Sequence, residues 1–324
     1  MCHVSLIIVN WNGRHLLREC LDAVMAQTYR DFEVILVDNG STDDSCAFVS
    51  QHYSTVRLMP LTHNRGFTGG NIAGYQQSRG RYIALLNNDT RPEPQWLEAL
   101  VGAMEQDSSV GICASRIIID GTDTLDSVGD SFTTAFSGTK IGRLQPAADY
   151  PDSTRFHGGC AAAILYSRAM LDEIGFLDED FFFNHEDTDL NLRAWLAGWQ
   201  CQYVPTAIVH HKVSASIGEL SERGVYYFSR NTEWVWIKNV PLGLMMRYLP
   251  QRLLYEFASF GYFCVIKRRW HAFFQGKLDA LKGLAAMLTK RRQVQRLIVL
   301  KTADIRHGLI PLSGYFLKRL VQRD

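Results

Sequence analysis

No apolar run in this 324-residue chain is long enough to cross a bilayer as a helix. The longest uncharged apolar stretch, roughly Phe257 to Ile266, falls well short of the about 18 residues a span requires. The start, Met1-Cys2-His3-Val4-Ser5, has no basic segment, and Leu6 to Val9 is too short for a signal-peptide core, so no export signal is expected. Cysteine is sparse and unpatterned: the seven (Cys2, Cys20, Cys46, Cys113, Cys160, Cys201, Cys264) never form C-x-x-C, which excludes a zinc knuckle and a disulfide framework. A reducing cytosol fits best. The first strand-like run is not followed by G-x-G-x-x-G but by Asn10-Trp11-Asn12-Gly13, which argues against a nicotinamide dehydrogenase. Internal repeats and low-complexity linkers are missing as well. Finally, acid is scarce at one end: beyond Leu242 roughly 16 Lys/Arg face about 4 Asp/Glu, whereas the preceding part carries roughly 18 against about 29. The net charge of +1 hides that division.

What is present is a chain that is 47% hydrophobic and able to build substantial cores. Val4–Val9, Phe32–Val37, a run near Val56–Leu61 and Tyr82–Leu86 read as buried strands, separated by helical patterns through Leu16–Val24 and Ile72–Gln76. Ser41 with Asp44 suggests a capping box for the helix between the second and third strands. This alternation predicts an α/β fold with a mostly parallel, twisted sheet flanked by helices. Further on, Trp96–Leu100 reads as a helix and Gly111–Ala114 as a strand. Residues 118–155 look like a hairpin or loop insertion, and Ala161–Leu165 like a strand under a bound ligand. Two short strands, Tyr203–Pro205 and Ala207–Val209, end at His210-His211. A helix over about Gly224–Asn239 is stopped by Pro241, and basic helices follow.

Candidate chemistry collects after strands, on the edge where such sheets bind ligands. Asp89 ends the apolar run Tyr82–Leu86 through Asn87-Asn88, a place for one hard oxygen ligand to a divalent metal against a nucleotide diphosphate; a simple turn is the bland alternative. Asn64 to Asn71 is glycine-rich, a weak phosphate-loop signal. Glu186, Asp187 and Asp189 fall in a helical first turn, where acids are ordinary dipole partners, and Asp189 can pair with Arg193. Arg230 either binds diphosphate or covers a solvated helix face. The aromatics around 181–199 read as core, with Trp195 or Trp199 as alternatives for sugar stacking.

Five segments taken together carry a resemblance. Val4 to Asn12, Val37 to Asp43, Asn64 to Gly74, Leu86 to Asp89 and Glu186-Asp187 occur in the order and spacing of the family-two inverting glycosyltransferases of the GT-A fold. Over roughly residues 3 to 240 the chain looks most like the bacterial branch with rhamnosyltransferases. The resemblance implies a nucleotide-sugar donor, Mg²⁺ or Mn²⁺, and inversion at the anomeric carbon. Donor-nucleotide contacts are implied for Val9, Asn10, Asn12, Asp38, Asn39, Asn64, Gly66, Gly70, Asn71, Asn88 and Arg230. Asp89 takes the metal position of the family's Asp-x-Asp, and His211, in His-Lys-Val-Ser-Ala-Ser, lies near metal and diphosphate. Asp187 corresponds to the base, with Glu186 beside it. Two departures lower the charge offered to the metal: Asn39 stands where the family often has a second Asp, and Asn87 where Asp-x-Asp has its first.

A nucleotide diphosphate leaves with its charge developed and needs a counter-charge rather than a proton, so one metal and one base can suffice. The expected reaction is sugar transfer, L-rhamnose from dTDP-rhamnose as first choice, to a polysaccharide or polyprenyl-diphosphate-linked acceptor. UDP-dependent hexosyl, galactofuranosyl or N-acetylhexosaminyl transfer, and a non-catalytic nucleotide-binding membrane scaffold, are the alternatives. Residues 1–240 are expected to form the transferase domain. Residues 241–324 are expected to form a basic amphipathic helical region meeting an anionic membrane on the cytoplasmic face of the inner membrane, with no nucleic acid partner.

Overall fold

A computed structural model describes residues 3–213 and 221–314 and divides into two compact units. The first comprises residues up to 130, 140–183 and 199–216; the second comprises 131–139, 184–198 and 217 onward.

The first unit is built on one sheet. Its strands are β1 (Val4–Asn10), β2 (Phe32–Asp38), β3 (Arg57–Pro60), β4 (Tyr82–Asn87), β5 (Thr90–Pro92), β6 (Val110–Ile119) and β7 (Leu125–Ser127). A hairpin of β8 (Gly129–Phe132) and β9 (Gly138–Ile141) follows, its residues 131–139 belonging to the second unit, then β10 (Arg155–Phe156), β11 (Ala163–Ser167) and β12 (Gln200–His211). Helices α1 (Arg14–Met25), α2 (Ser45–His52), α3 (Gly66–Gln77), α4 (Trp96–Gln106) and α5 (Arg168–Ile174) flank the sheet.

The strand order is β10-β12-β6-β11-β4-β1-β2-β3. Pairs β1–β2, β1–β4, β2–β3 and β6–β12 are parallel, while β11 runs antiparallel to both β4 and β6, so the sheet is mixed. The apolar runs of β1, β2 and β4 are buried because helices cover both faces of such a sheet. One core cluster takes Leu6, Ile8 and Leu36 from the sheet and Leu17, Leu21, Trp96 and Leu97 from the helices.

Two sequence expectations change. The two short strands at 203–209 are one long strand, β12, with a register shift between Val204 and Ile208 across from β6. The helix after β2 begins at Ser45 with no side-chain cap, because Ser41 instead accepts from the backbone N–H of Asn12, and Asp43 accepts from Ser45. The stretch 118–155 contains a hairpin, β8 with β9, as one of its two expected forms, and adds β7 against β6 and the start of β10.

The second unit is helical: α6 (Glu186–Leu196), α7 (Glu222–Asn239), α8 (Leu242–Phe260), a π-helical turn (Gly261–Ile266), α9 (Trp270–Lys282), α10 (Leu284–Leu297) and α11 (Thr302–Gly308). Ser221 caps α7 by accepting from Gly224 N at 3.0 Å, and Pro241 follows its end. Helices α7 and α9 approach closely at Gly276, where a Cβ would meet Ser229 Oγ at 2.0 Å. Trp234 donates from its ring N–H to the Ala280 carbonyl at 3.1 Å.

Candidate donor and metal site

The parallel strands β2, β1 and β4 deliver their last residues side by side. Asn10 is paired in register with Asp38, and Val9 with Asn87. Asn10 is fully buried; it donates to Asp38 Oδ1 at 3.1 Å and accepts from Asn88 Nδ2 at 2.8 Å. Asp38 also accepts the Ser41 backbone N–H at 3.0 Å. The three strand ends are thereby tied into one edge by their own polar side chains.

The start of α3 is tied in the same way. Asn39 donates to Asn64 Oδ1 (3.1 Å) and the Gly66 carbonyl (2.9 Å) and accepts from Arg65 N (2.9 Å). Gly66 stands at φ +74°, where a Cβ would meet the Phe182 carbonyl oxygen at 2.2 Å. Gly70 lets α3 rest on Val9, its missing Cβ falling 2.7 Å from Val9 Cγ1. Asn71 is buried and donates to the Phe67 carbonyl, and Asn12 accepts from Thr42 N at 2.7 Å. The structure thus brings Val9, Asn10, Asn12, Asp38, Asn39, Asn64, Gly66, Gly70, Asn71 and Asn88 to one edge of the first unit.

Asp89 and His211 meet through strand register. Short strand β5 runs antiparallel to β12 with Thr90 opposite His211, and Lys212 N donates to the Asp89 carbonyl at 3.0 Å. His211 Nε2 lies 3.4 Å from Asp89 Oδ1, and that buried oxygen has no hydrogen-bond partner. The contact is one of charge rather than an aligned hydrogen bond. On the other side of the ring, Nδ1 is 3.1 Å from Asp126 Oδ2. Asp126 lies at the register shift between β6 and β7, which turns its fully buried carboxylate inward. Lys140 Nζ (2.9 Å) and Arg143 (2.7 Å) also reach it.

Burial alone would lower the His211 pKa, yet the hydrogen bond with Asp126 and the charges of Asp89 and Asp126 push it up to about 9. Burial would raise the Asp126 carboxyl, but His211 and Lys140 hold it well below the usual carboxylate range. Asp126 was not among the residues expected from sequence; it sits in a Gly-, Thr-, Ser- and Asp-rich stretch without periodicity, and no local signal marks it.

Asp89 and His211 fit a divalent cation. An orphaned buried carboxylate oxygen stands beside an imidazole nitrogen whose far nitrogen is held by a carboxylate, the outer partner typical of metal-binding histidines. Among the described residues no group of three or more His, Cys, Asp or Glu is placed to hold an ion, so phosphate oxygens of a donor would complete the set. Ser214, Ala215 and Ser216, after His211, lie outside the described residues.

Glu186, Asp187 and Arg230 belong to the second unit. Helix α6 is entered through Asn184 and His185, both at φ 70°, a left-handed conformation that non-glycine residues adopt at a cost. Asn231 Nδ2 holds the Asn184 carbonyl at 2.6 Å, and Thr232 meets His185 Nε2 at 3.2 Å. Asp187 is half-exposed and accepts from Thr188 N at 2.7 Å. Glu186 is buried; desolvation and the neighbouring Asp187 charge push it up to about 8. Asp189 pairs with Arg193 as expected, and adds Lys238 (2.9 Å) and Asn239 (2.8 Å) in a buried network. The Arg230 guanidinium lies 4.1 Å from the Trp234 ring centre and donates to Asn231 at 2.9 Å.

A mixed sheet with its polar edge at the ends of β1, β2 and β4, flanked by helices and followed by a helical region, is the GT-A glycosyltransferase fold. By the match of residues 5–175 to its family model, the chain belongs to glycosyl transferase family 2. Among curated relatives, an uncharacterized glycosyltransferase of Nostoc sp. is 33% identical over 38% of this chain and 39% of its own length. The N-acetylglucosaminyl-diphospho-decaprenol L-rhamnosyltransferase of Mycobacterium tuberculosis is 27% identical over 63% of this chain and 74% of its own. The chain spans 19% of the Myxococcus xanthus O-antigen biosynthesis protein RfbC, which is 26% identical over 72% of this chain. Several of these relatives are therefore much longer than the part they share with it. Among solved structures, S. aureus TarS 1-349 in complex with UDP-GlcNAc has a TM-score of 0.56 at 17% identity, covering 95% of this chain and 92% of that one. GalNAc-T7 with UDP, GalNAc and Mn²⁺ has a TM-score of 0.55 at 16% identity, covering 74% and 50%.

Proposed function

We propose that the protein is an inverting glycosyltransferase. In this reading it moves a sugar, L-rhamnose from dTDP-rhamnose as first choice, to a polysaccharide or polyprenyl-diphosphate-linked acceptor at the cytoplasmic face of the inner membrane. The observation that carries the reading is the buried Asp89 Oδ1 beside His211 Nε2, on the sheet edge that also holds Asn10 and Asp38. The mycobacterial rhamnosyltransferase supports the sugar; the UDP complexes of TarS and GalNAc-T7 support a UDP-sugar as the second reading.

Asp89 and His211 would hold Mg²⁺ or Mn²⁺, which when bound supplies positive charge to the departing diphosphate. Asp126 keeps Nδ1 of His211 engaged so that Nε2 faces the ligand side. The amides of Asn10, Asn39 and Asn88 set the turns against which base and ribose would lie. Asp187 takes the proton of the acceptor hydroxyl. Glu186 beside it is pushed up to about 8 by burial and by the Asp187 charge, so it stays protonated at neutral pH. Residues 1–240 carry the transfer reaction, and 241–324 keep the protein at the membrane.

A thermal-shift series with dTDP, UDP and their sugars, with and without Mn²⁺, tests the reading. The expected result is stabilisation by one nucleotide that depends on the metal and disappears in Asp89→Ala. Asp187→Asn is expected to keep that stabilisation while transfer falls by about 10²–10⁴-fold. Failure of every nucleotide to stabilise the protein would overturn it.

A further inference from the structure

Helix α8 is patterned against the usual rule. Its buried stripe includes Tyr248, Arg252, Tyr255 and Ser259, and Arg252 is ion-paired to Glu233 (2.9 Å) and Glu256 (2.6 Å). Its outward stripe, at spacings of three and four, is Leu242, Met246, Leu249, Leu253, Phe257 and Phe260, with Phe257 74% and Leu242 67% exposed. A helix in water normally shows the reverse arrangement. This stripe runs nearly the full length of α8, about 27 Å at 1.5 Å per residue.

Helix α9 repeats the pattern. Phe273, Gly276 and Ala280 face inward, while Trp270, Phe274, Leu278 and Leu281 are exposed. Val265 and Ile266, in the turn between the helices, are exposed too. Single exposed apolar residues need no explanation, but two parallel-patterned stripes joined by an apolar turn mark an interaction surface.

Charge identifies the occupant. Every exposed charged residue from 242 to 282 is basic: Arg247, Lys267, Arg268, Arg269 and Lys282. The acids of this segment, Glu256 and Asp279, are partly buried and engaged by Arg252, Lys277 and Lys282. No described helix is long and apolar enough to cross a membrane. We infer that the hairpin of α8, the π-helical turn and α9 is a docking face for an anionic phospholipid bilayer, lying in the interface with its apolar stripes in the acyl boundary and its lysines and arginines among the headgroups. This rests on the proposed membrane-borne acceptor and names the element that would bring the enzyme to it.

The test is flotation of the full chain with phosphatidylcholine vesicles, with and without phosphatidylglycerol. Wild type is expected to float with the anionic vesicles only, and to be released as salt rises from about 0.1 M to about 1 M, where the Debye length falls from about 10 Å to about 3 Å. Leu253→Gln/Phe257→Gln and Lys267→Glu/Arg268→Glu alter exposed side chains, so both are expected to fold. Each should lower vesicle binding by about tenfold or more while keeping the nucleotide-dependent thermal shift. Wild type that floats with neither vesicle overturns the inference, and a dimer in solution dispersed by Leu253→Gln/Phe257→Gln would assign the face to a second copy instead. Vesicle binding without any nucleotide shift would sink the transferase reading alone, and the converse would sink the docking face alone.

Discussion

Asp126 accepts a hydrogen bond from His211 at 3.1 Å, across 85 residues of sequence and in complete burial. The same carboxylate anchors Lys140 and Arg143, so it is both the neighbour that orients the imidazole and the anion that balances two cations. Asp126→Ala would leave those cations without their buried partner. The expected cost is on the order of 3–5 kcal/mol of stability, measured by urea unfolding. Asp126→Asn, which retains an acceptor, is expected to fold better than Ala and to weaken Mn²⁺ binding in the presence of nucleotide by about 10–100-fold, read by calorimetric titration. Unchanged Mn²⁺ affinity in a folded Asp126→Asn protein would remove Asp126 from this role.

Glu186 gives the second unit a pH dependence of unusual sign for a carboxylate. Its pKa is raised in the fold by burial and by Asp187, from an ordinary value near 4.5 to about 8. The folded state therefore holds this proton more tightly than the unfolded chain does. The associated stability is fully present below about 4.5 and is lost as pH rises through about 8. Glu186→Gln, which mimics the protonated form, is expected to flatten that decline, so that the variant matches wild type at pH 5 and exceeds it at about pH 8.5 in thermal melts. A wild-type melting temperature flat across that range, and equal to the variant's, would contradict it.

These two residues show what was legible in the sequence and what was not. The ends of β1, β2 and β4 could be read because each is a continuous apolar run stopped by amides and acids, and a buried parallel strand leaves that signature. Asp189 with Arg193 could be read because a helix places such residues on one face. Asp126 could not, because a bulge between β6 and β7 sets its direction and its partner His211 lies on a distant strand. The long strand β12 was split in two by Pro205, which the register shift between Val204 and Ile208 accommodates. The basic amphipathic character of residues 241–324 is legible, but which stripe of α8 faces outward depends on the buried ion pairs of Arg252.

Those ion pairs carry a prediction of their own. Arg252 and Lys277 both engage Glu233 and Glu256, joining α7, α8 and α9. Burial would raise the Glu233 carboxyl, but the charges of Arg252 and Lys277 outweigh it and bring it down to about 2. Its contribution is therefore present above the ordinary value near 4.5 and lost as pH falls toward about 2. Neighbouring His185, held neutral by burial with a pKa near 4 against an ordinary 6.5, adds a loss of stability that begins earlier, as pH falls from about 6.5 to about 4. Helical signal in circular dichroism is expected to fall cooperatively between about pH 5 and pH 2. Arg252→Ala is expected to lose on the order of 3–5 kcal/mol already at pH 7, whereas Arg252→Met, which refills the volume, should lose less. An Arg252→Ala protein as stable as wild type in urea would show that the cluster contributes nothing.

Gly13 tests the polar strand edge without touching any charged group. Its φ of −108° is open to any residue, so a substitution there acts through space rather than backbone strain. A Cβ at this position would fall 2.4 Å from Asn88 Nδ2 and 2.5 Å from Asn10 Oδ1, the two atoms whose hydrogen bond ties the end of β4 to the end of β1. Both belong to short, buried amides, so Gly13→Ala must break that bond or displace the turn carrying Asp89. Loss of a buried amide hydrogen bond with its partners left unsatisfied costs about 1–3 kcal/mol. The larger expected effect is on ligand: metal-dependent stabilisation by nucleotide should shrink well beyond the change in intrinsic stability, because the displaced turn holds the metal-facing carboxylate. Gly102→Ala is the control, since its Cβ would meet nothing within 4 Å. It lies within α4 and is expected to leave the nucleotide response intact and to raise stability by about 0.5–1 kcal/mol. Equal nucleotide responses in the two variants would show that the Asn10–Asn88 tie does not position Asp89.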